Sequence, residues 1–190
     1  MSTLELKELS HPAGEVIKIA AGKTLDLKSQ GSVTMPTGSV LQVVSVDVDT
    51  LLSTTSTAWQ TAMTATITPS STSSKVMIII TSVIGVAGAA SSGQSVWRDS
   101  TQILGGQVVT GATSSSGPTA YSGGSDANNN EGVAINGLDA PSTVSPVSYH
   151  FKYRSPQGSV VRVNDLGSAS RNATYSQTSL STITLMEVSA

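Results

Sequence analysis

The chain has no cysteine. That excludes disulfides, thiolate metal sites and cysteine nucleophiles, and leaves stability to packing or association. Charge is scarce too: charged residues are 12% of the chain and the formal net charge is -2. The basic residues are scattered, without the Lys/Arg cluster that duplex nucleic acid requires of a partner. Aromatics amount to 4%, with a single Phe. The longest apolar stretch, Val76 to Ala90, is interrupted by Thr81, Ser82 and two glycines. It is too short and too polar to span a bilayer, so membrane insertion is not expected. The first nine residues, Met1 to Leu9, are charged and amphipathic, unlike a signal peptide.

Serine and threonine make up roughly 30% of the chain, well above ordinary usage. The hydrophobic share is 38% and mostly Val, Ile, Leu and Ala. Branched side chains flanked by hydroxyls suit pleated sheet faces better than helix bundles. Sparse net charge with ordinary hydrophobicity argues for a folded chain, and 190 residues bound it to one or two compact domains.

Three regions differ in texture. In residues 1–11, Leu4, Leu6 and Leu9 mix strand and helix spacings. The segment reads either as a frayed tail or as a docking peptide that orders on its partner. Residues 12–37 carry strands of three to five residues (Val16 to Ile19, Leu25 to Leu27, Val33 to Met35) with turns at Ala21 to Lys23 and Gln30-Gly31. Such short strands are marginal alone, which favours an oligomer with apolar faces on a shared axis.

From residue 38 the segments lengthen. Val40 to Val48 reads as a strand, and Ala62 to Thr68 alternates before the Pro69 to Ser74 turn cluster. Lys75 to Val83 is a near-continuous apolar run, the pattern of a strand buried on both faces. Val96 to Arg98 and Gln102 to Leu104 flank a turn at Asp99, and Val108-Val109 follows. Residues 111–132, rich in Gly, Ser and Asn, read as a long loop or pair of loops. Asn136-Gly137 signals a type I′ hairpin. Val147, Tyr149, Phe151 and Tyr153 alternate with Ser148, His150, Lys152 and Arg154. Ser159 to Val163, Ala173 to Tyr175 and Ser181 to Val188 complete the set. Residues 55–63 have material for one helical turn at most. About ten strands predict an all-β protein: a jelly-roll-like β-sandwich head over residues 38–190, preceded by a short-stranded neck over 12–37.

Candidate chemical sites are few. His150 lies on the polar face of its strand with no flanking acid, and reads as a surface or subunit-contact histidine; His11 offers no more. Asp126, Asn128 and Asn130 have the opening spacing of a calcium loop, but Glu131 and Gly137 stand where a glycine and a bidentate carboxylate belong, so no metal is expected. Asp47 and Asp49 sit two apart without the partner a glycosidase pair needs. Asn172-Ala-Thr174 is a sequon by pattern only. No catalytic residue and no cofactor is assigned. Trp97, Arg98 and Asp99 form a local cluster: Arg98 and Asp99 read as an ion pair at a turn, and Trp97 reads as a structural anchor or as a stacking platform for sugar rings. Trp59 and Tyr121 join that platform if exposed, and Asn128, Asn129 and Asn130 supply amides for hydroxyl contacts.

Four segments stand in a particular order: Pro36-Thr-Gly-Ser-Val-Leu-Gln-Val-Val44, Ile67-Thr-Pro-Ser-Ser-Thr-Ser-Ser-Lys75, Val96-Trp-Arg-Asp99 and Ser181-Thr-Ile-Thr-Leu-Met-Glu-Val188. With a Pro-rich approach from Ala140 to Pro146, that order resembles the C-terminal domains of small phage fibre-like virion proteins, particularly of phages infecting cyanobacteria and other aquatic bacteria. The resemblance covers residues 36–188. It implies a homotrimer with a β-rich head, attached to the particle through residues 1–11 (Leu4, Leu6 and Leu9) and located on the virion surface. Only about eleven residues precede the first strand, which fits a short fibre or head attachment better than a long tail fibre. The expected role is structural, with host-surface glycan at the head's loops, especially 111–132; the alternative is a capsid decoration protein without receptor binding. A glycan hydrolase on the same scaffold would need a carboxylate pair in a cleft.

Overall fold

The structure, a computed structural model, describes residues 21–22, 35–86, 91–105, 107–108, 115–116, 129–165 and 179–190. The chain divides into two units, residues 1–34 and 35–190. Of the first, Ala21 and Gly22 form a turn, with Gly22 at a φ of 73° that favours glycine. Leu4, Leu6, Leu9, His11 and the strands expected between Val16 and Thr34 lie outside the described residues, as does Ala173 to Tyr175.

The second unit is all-β, with no helix among the described residues. Its strands are β1 (Val40–Val48), β2 (Leu52–Thr54), β3 (Gln60–Ile67), β4 (Lys75–Val86), β5 (Gly93–Arg98), β6 (Thr101–Leu104), β7 (Gln107–Val108), β8 (Ser115–Ser116), β9 (Asn129–Asp139), β10 (Val147–Arg154), β11 (Val161–Val163) and β12 (Ser181–Val188). All ladders are antiparallel. In the first sheet β4 is central: β9 runs along one edge, while β12 and then β11 cover successive stretches of the other. β1 flanks β12 and β2 flanks β11. The second sheet has the order β3-β10-β5-β6, and β7 pairs with β8 separately.

The two sheets pack as a β-sandwich. Ile78, Ile80, Ile183 and Leu185 of the first sheet are fully buried in one core with Tyr149, Phe151 and Val96 of the second. Period-two patterning places them there. β10 buries Val147, Tyr149, Phe151 and Tyr153 and turns Ser148, His150, Lys152 and Arg154 outward, as the alternation predicts.

Several expectations are corrected. β4 is not buried on both faces: Met77, Ile79 and Val83 are only half-buried and Thr81 is exposed, because among the described residues the sheet packs on one side only. Asn136-Gly137 is not a hairpin turn. Both residues lie within β9, opposite Ile79 and Ile78, and neither has the positive φ that a type I′ turn demands. Gly137 answers a different need, since a Cβ there would overlap Cδ1 of Leu104. β9 also takes in Asn129 to Gly132, which the sequence assigns to the 111–132 loop. Thr57 and Ala58 form a bend, and from Gln60 the chain is in β3, so 55–63 contains no helical turn.

Candidate functional site

The outward positions of β10 form the axis of a polar face on the second sheet. At one end Ser148 Oγ lies 2.9 Å from Thr66 Oγ1 of β3. Next, His150 Nδ1 lies 2.8 Å from Thr64 Oγ1. Burial and, after it, the charge of Lys152 lower the pKa of His150 below its usual value, which keeps the imidazole neutral near pH 7. Lys152 and Arg154 follow on the same face.

Register brings two tryptophans to these cations. His150 pairs with Trp97 of β5, so Lys152 reaches across with its Nζ 4.3 Å from the centre of the Trp97 ring. Trp59, just before β3, meets Trp97 edge to face, with ring centres 6.4 Å apart and planes at 63°. The Arg154 guanidinium carbon lies 4.6 Å from the centre of Trp59. Gly93, opposite Arg154, leaves room for this stack: a Cβ there would sit 3.3 Å from Arg154 Cγ and Nε and 3.4 Å from Trp59 Cη2. All four side chains are half-buried. Trp97 Nε1 and Arg154 Nε are buried without a hydrogen-bond partner among the described residues.

Of the residues singled out from sequence, Trp97 and Trp59 come together here. Tyr121 and Asn128 lie outside the described residues, as do Asp126 and Asn172. Asn129 and Asn130 pair with Val86 and Gly85 in β9, on the other sheet from Trp97. Sequence reasoning missed Lys152 and Arg154. Their outward alternation was legible, but not the register that sets them on the indoles.

Arg98 does not pair with its neighbour Asp99. It faces inward at the sandwich edge and binds Asp139 of β9, with Nη1 3.0 Å from Oδ1 and 2.9 Å from Oδ2. Tyr149 OH donates to the same carboxylate at 2.7 Å. Burial, and then this hydrogen bond, push the Tyr149 phenol well above its ordinary range. The triad joins the two sheets. Asp99, at a φ of 50°, instead accepts from the Ser148 amide at 3.1 Å. Asp47 accepts from Thr182 Oγ1 at 2.8 Å on the outer face of the first sheet, and Asp49 lies just past the end of β1.

A second network joins three of the resemblance segments. Glu187 of β12 is fully buried. It accepts from Gln42 Nε2 of β1 at 2.6 Å, and from Ser70 N and Oγ in the β3–β4 turn at 2.7 and 2.6 Å. Burial alone would raise its pKa. Hydrogen bonds from Ser70, Gln42 and Ser74 outweigh that and hold it at about 2, against an ordinary 4.5.

The outer face of the first sheet is of another kind. Val43 stands opposite Met186, Met186 opposite Met77, and Met77 opposite Leu138, an apolar row across four strands. Its ends, Val43 and Leu138, are 55% and 52% exposed. Val40 and Leu41, where the chain enters β1, are also exposed.

Comparison of the chain with protein-family models and with curated proteins finds no match.

Proposed function

We propose that the chain is a structural virion fibre protein, a short tail fibre or head fibre. It attaches to the particle through residues 1–11, trimerises through a neck over 12–37, and presents the head, residues 38–190, to host-surface glycan. The observation that carries this reading is the exposed apolar row Val43, Met186, Met77 and Leu138. A sheet face of that kind fits burial against another copy of the chain better than permanent contact with water.

The strand order supports a jelly-roll reading of the sandwich. Setting aside the short β2, β7, β8 and β11, eight strands remain. The first pairs with the last (β1 with β12), the second with the seventh (β3 with β10), the third with the sixth (β4 with β9) and the two middle ones with each other (β5 with β6). This is the pairing expected of one long hairpin rolled into two sheets, and it supports the jelly-roll reading. The division of the chain at 34/35 is in keeping with a separate neck. The proposal assigns no catalytic residue and no cofactor.

Capsid decoration without receptor binding is the second reading. It is favoured by the cations over Trp97 and Trp59, which take up indole surface that a neutral sugar would stack on.

Light scattering on the purified chain tests the assembly. The fibre reading expects three times the chain mass of 19.3 kDa; a fall to the monomer when residues 1–37 are removed shows that the neck is needed for assembly. A trimer that survives the truncation places assembly in the head. A monomer from the intact chain overturns the reading.

A further inference from the structure

We infer that the outer face of the second sheet, at Trp59, Trp97, Lys152 and Arg154, is a binding site for a carboxylated sugar, such as a uronate unit of an acidic polysaccharide. This rests on the glycan-presenting reading above and names the ligand class.

The argument starts from charge. Among the described residues, Arg98 pairs with Asp139 and Arg162 with Asp165. Lys152 and Arg154 have no such carboxylate among the described residues. Their neighbours are indole rings, at 4.3 and 4.6 Å. A ring face attracts a cation through its quadrupole but does not cancel the charge, and it takes up none of the N–H donors. Nε of Arg154 is buried and has no acceptor among the described residues. The two cations are therefore held in position without a carboxylate among the described residues, and the end of each half-buried side chain, not the buried Nε, is what would meet an anion; the guanidinium fork suits a carboxylate in particular.

The surroundings select a sugar. Along the same strand the cations give way to hydroxyls, with Ser148 beside Thr66 and Thr64 beside the neutral His150. A ligand lying along β10 would meet two positive charges and then hydroxyls and a neutral imidazole, with the exposed Asp99 carboxylate beside Ser148 at the far end as an acceptor for sugar hydroxyls. An acidic polysaccharide matches this, with carboxylate at one unit and hydroxyls at the next. A phosphate polymer does not. Two cations on a chain of net charge -2 make too small a basic field for it. The cations over the indoles, which count against neutral-sugar stacking, are what an anionic sugar needs.

The test is titration of the intact chain, followed by calorimetry and by shifts of the tryptophan indole N–H resonances, with oligogalacturonate and with its methyl ester. The ester keeps the sugar backbone and removes the charge. Binding of the acid is expected, with the ester about tenfold or more weaker, as loss of a charge-assisted contact implies. Lys152→Gln and Arg154→Gln should each weaken the acid by about tenfold. Lys152→Arg should retain binding, and unchanged thermal melting shows that the variants are folded. Equal binding of acid and ester overturns the anionic assignment and leaves the glycan reading standing. Acid binding that survives both Gln substitutions overturns the location. Failure to bind the acid, the ester and neutral oligosaccharides alike overturns the site together with the glycan reading beneath it.

Discussion

The two outer faces of the sandwich are built by the same alternation and both carry hydroxyls, Ser45 beside Thr184 on the first sheet and Ser148 beside Thr66 on the second. But the first has an apolar row across four strands, and the second has cations set on indoles. On the first sheet the outward positions of β1, β12, β4 and β9 include Val43, Met186, Met77 and Leu138, with no cation in the row. On the second, the outward positions of β10 are Ser148, His150, Lys152 and Arg154, crossed by Trp97. The inner faces of both sheets contribute apolar side chains to one shared core. The outer faces are free of that constraint, so their chemistry reports on partners. An aliphatic row fits a dry protein–protein contact, and a cationic, hydroxyl-bearing face fits a wet, charged ligand.

The comparison holds only while the sheets are locked together, and the largest effect comes from breaking that lock. Phe151→Ala empties a fully buried site on β10 and should cost about 4 kcal/mol in denaturant unfolding, abolishing both faces at once. The next effect is acid. Glu187 has a folded pKa of about 2 against an ordinary 4.5, so its ionised form favours the folded state. Its contribution, on the order of 3 kcal/mol, is present above pH about 4.5 and is lost as the pH falls towards about 2. Unfolding measured across that window should show the loss, and Glu187→Gln should remove this pH dependence while lowering stability at neutral pH.

A smaller effect separates packing from turn chemistry. Gly137→Ala forces Leu104 aside and should destabilise by about 1–3 kcal/mol in thermal or denaturant melts. Smallest in stability, but most telling for the comparison, are surface changes on each face. Leu138→Lys and Val43→Lys should alter the stability of the fold by no more than about 0.5 kcal/mol, yet lower the mass that light scattering reads if the proposed trimer forms through this face. Lys152→Gln should leave that mass unchanged. If the apolar-face variants assemble normally, the first face is not a contact between copies.

Much of the fold was legible because strand alternation is local. β1 spans Val40–Val48 as its pattern indicates. The β10 alternation sorts into inner and outer residues as written. The turn between Arg98 and Thr101 falls at Asp99. The errors arose where a local signal competes with a distant partner. Asn136-Gly137 has the composition of a turn, yet β4 supplies a ladder along all of β9 and Leu104 supplies a reason for glycine. Arg98 and Asp99 are neighbours in sequence, but the strand ends between them, so Arg98 turns inward to Asp139.

The candidate site was half legible for the same reason. Trp97 and Trp59 stand out as rare aromatics, and Lys152 and Arg154 as outward cations, each from its own segment. Their meeting depends on the register of β10 against β5 and β3. The amino-acid pattern alone settled that this chain forms short strands with one apolar side and one hydroxyl-rich side, because side-chain period and β-branching act within a few residues. Tertiary structure decided which strands pair, why Glu187 is buried beneath Gln42 and Ser70, and which residues share a face. Those follow from ladders and packing between segments up to 153 residues apart, whose energies depend on shape and register that no local window contains.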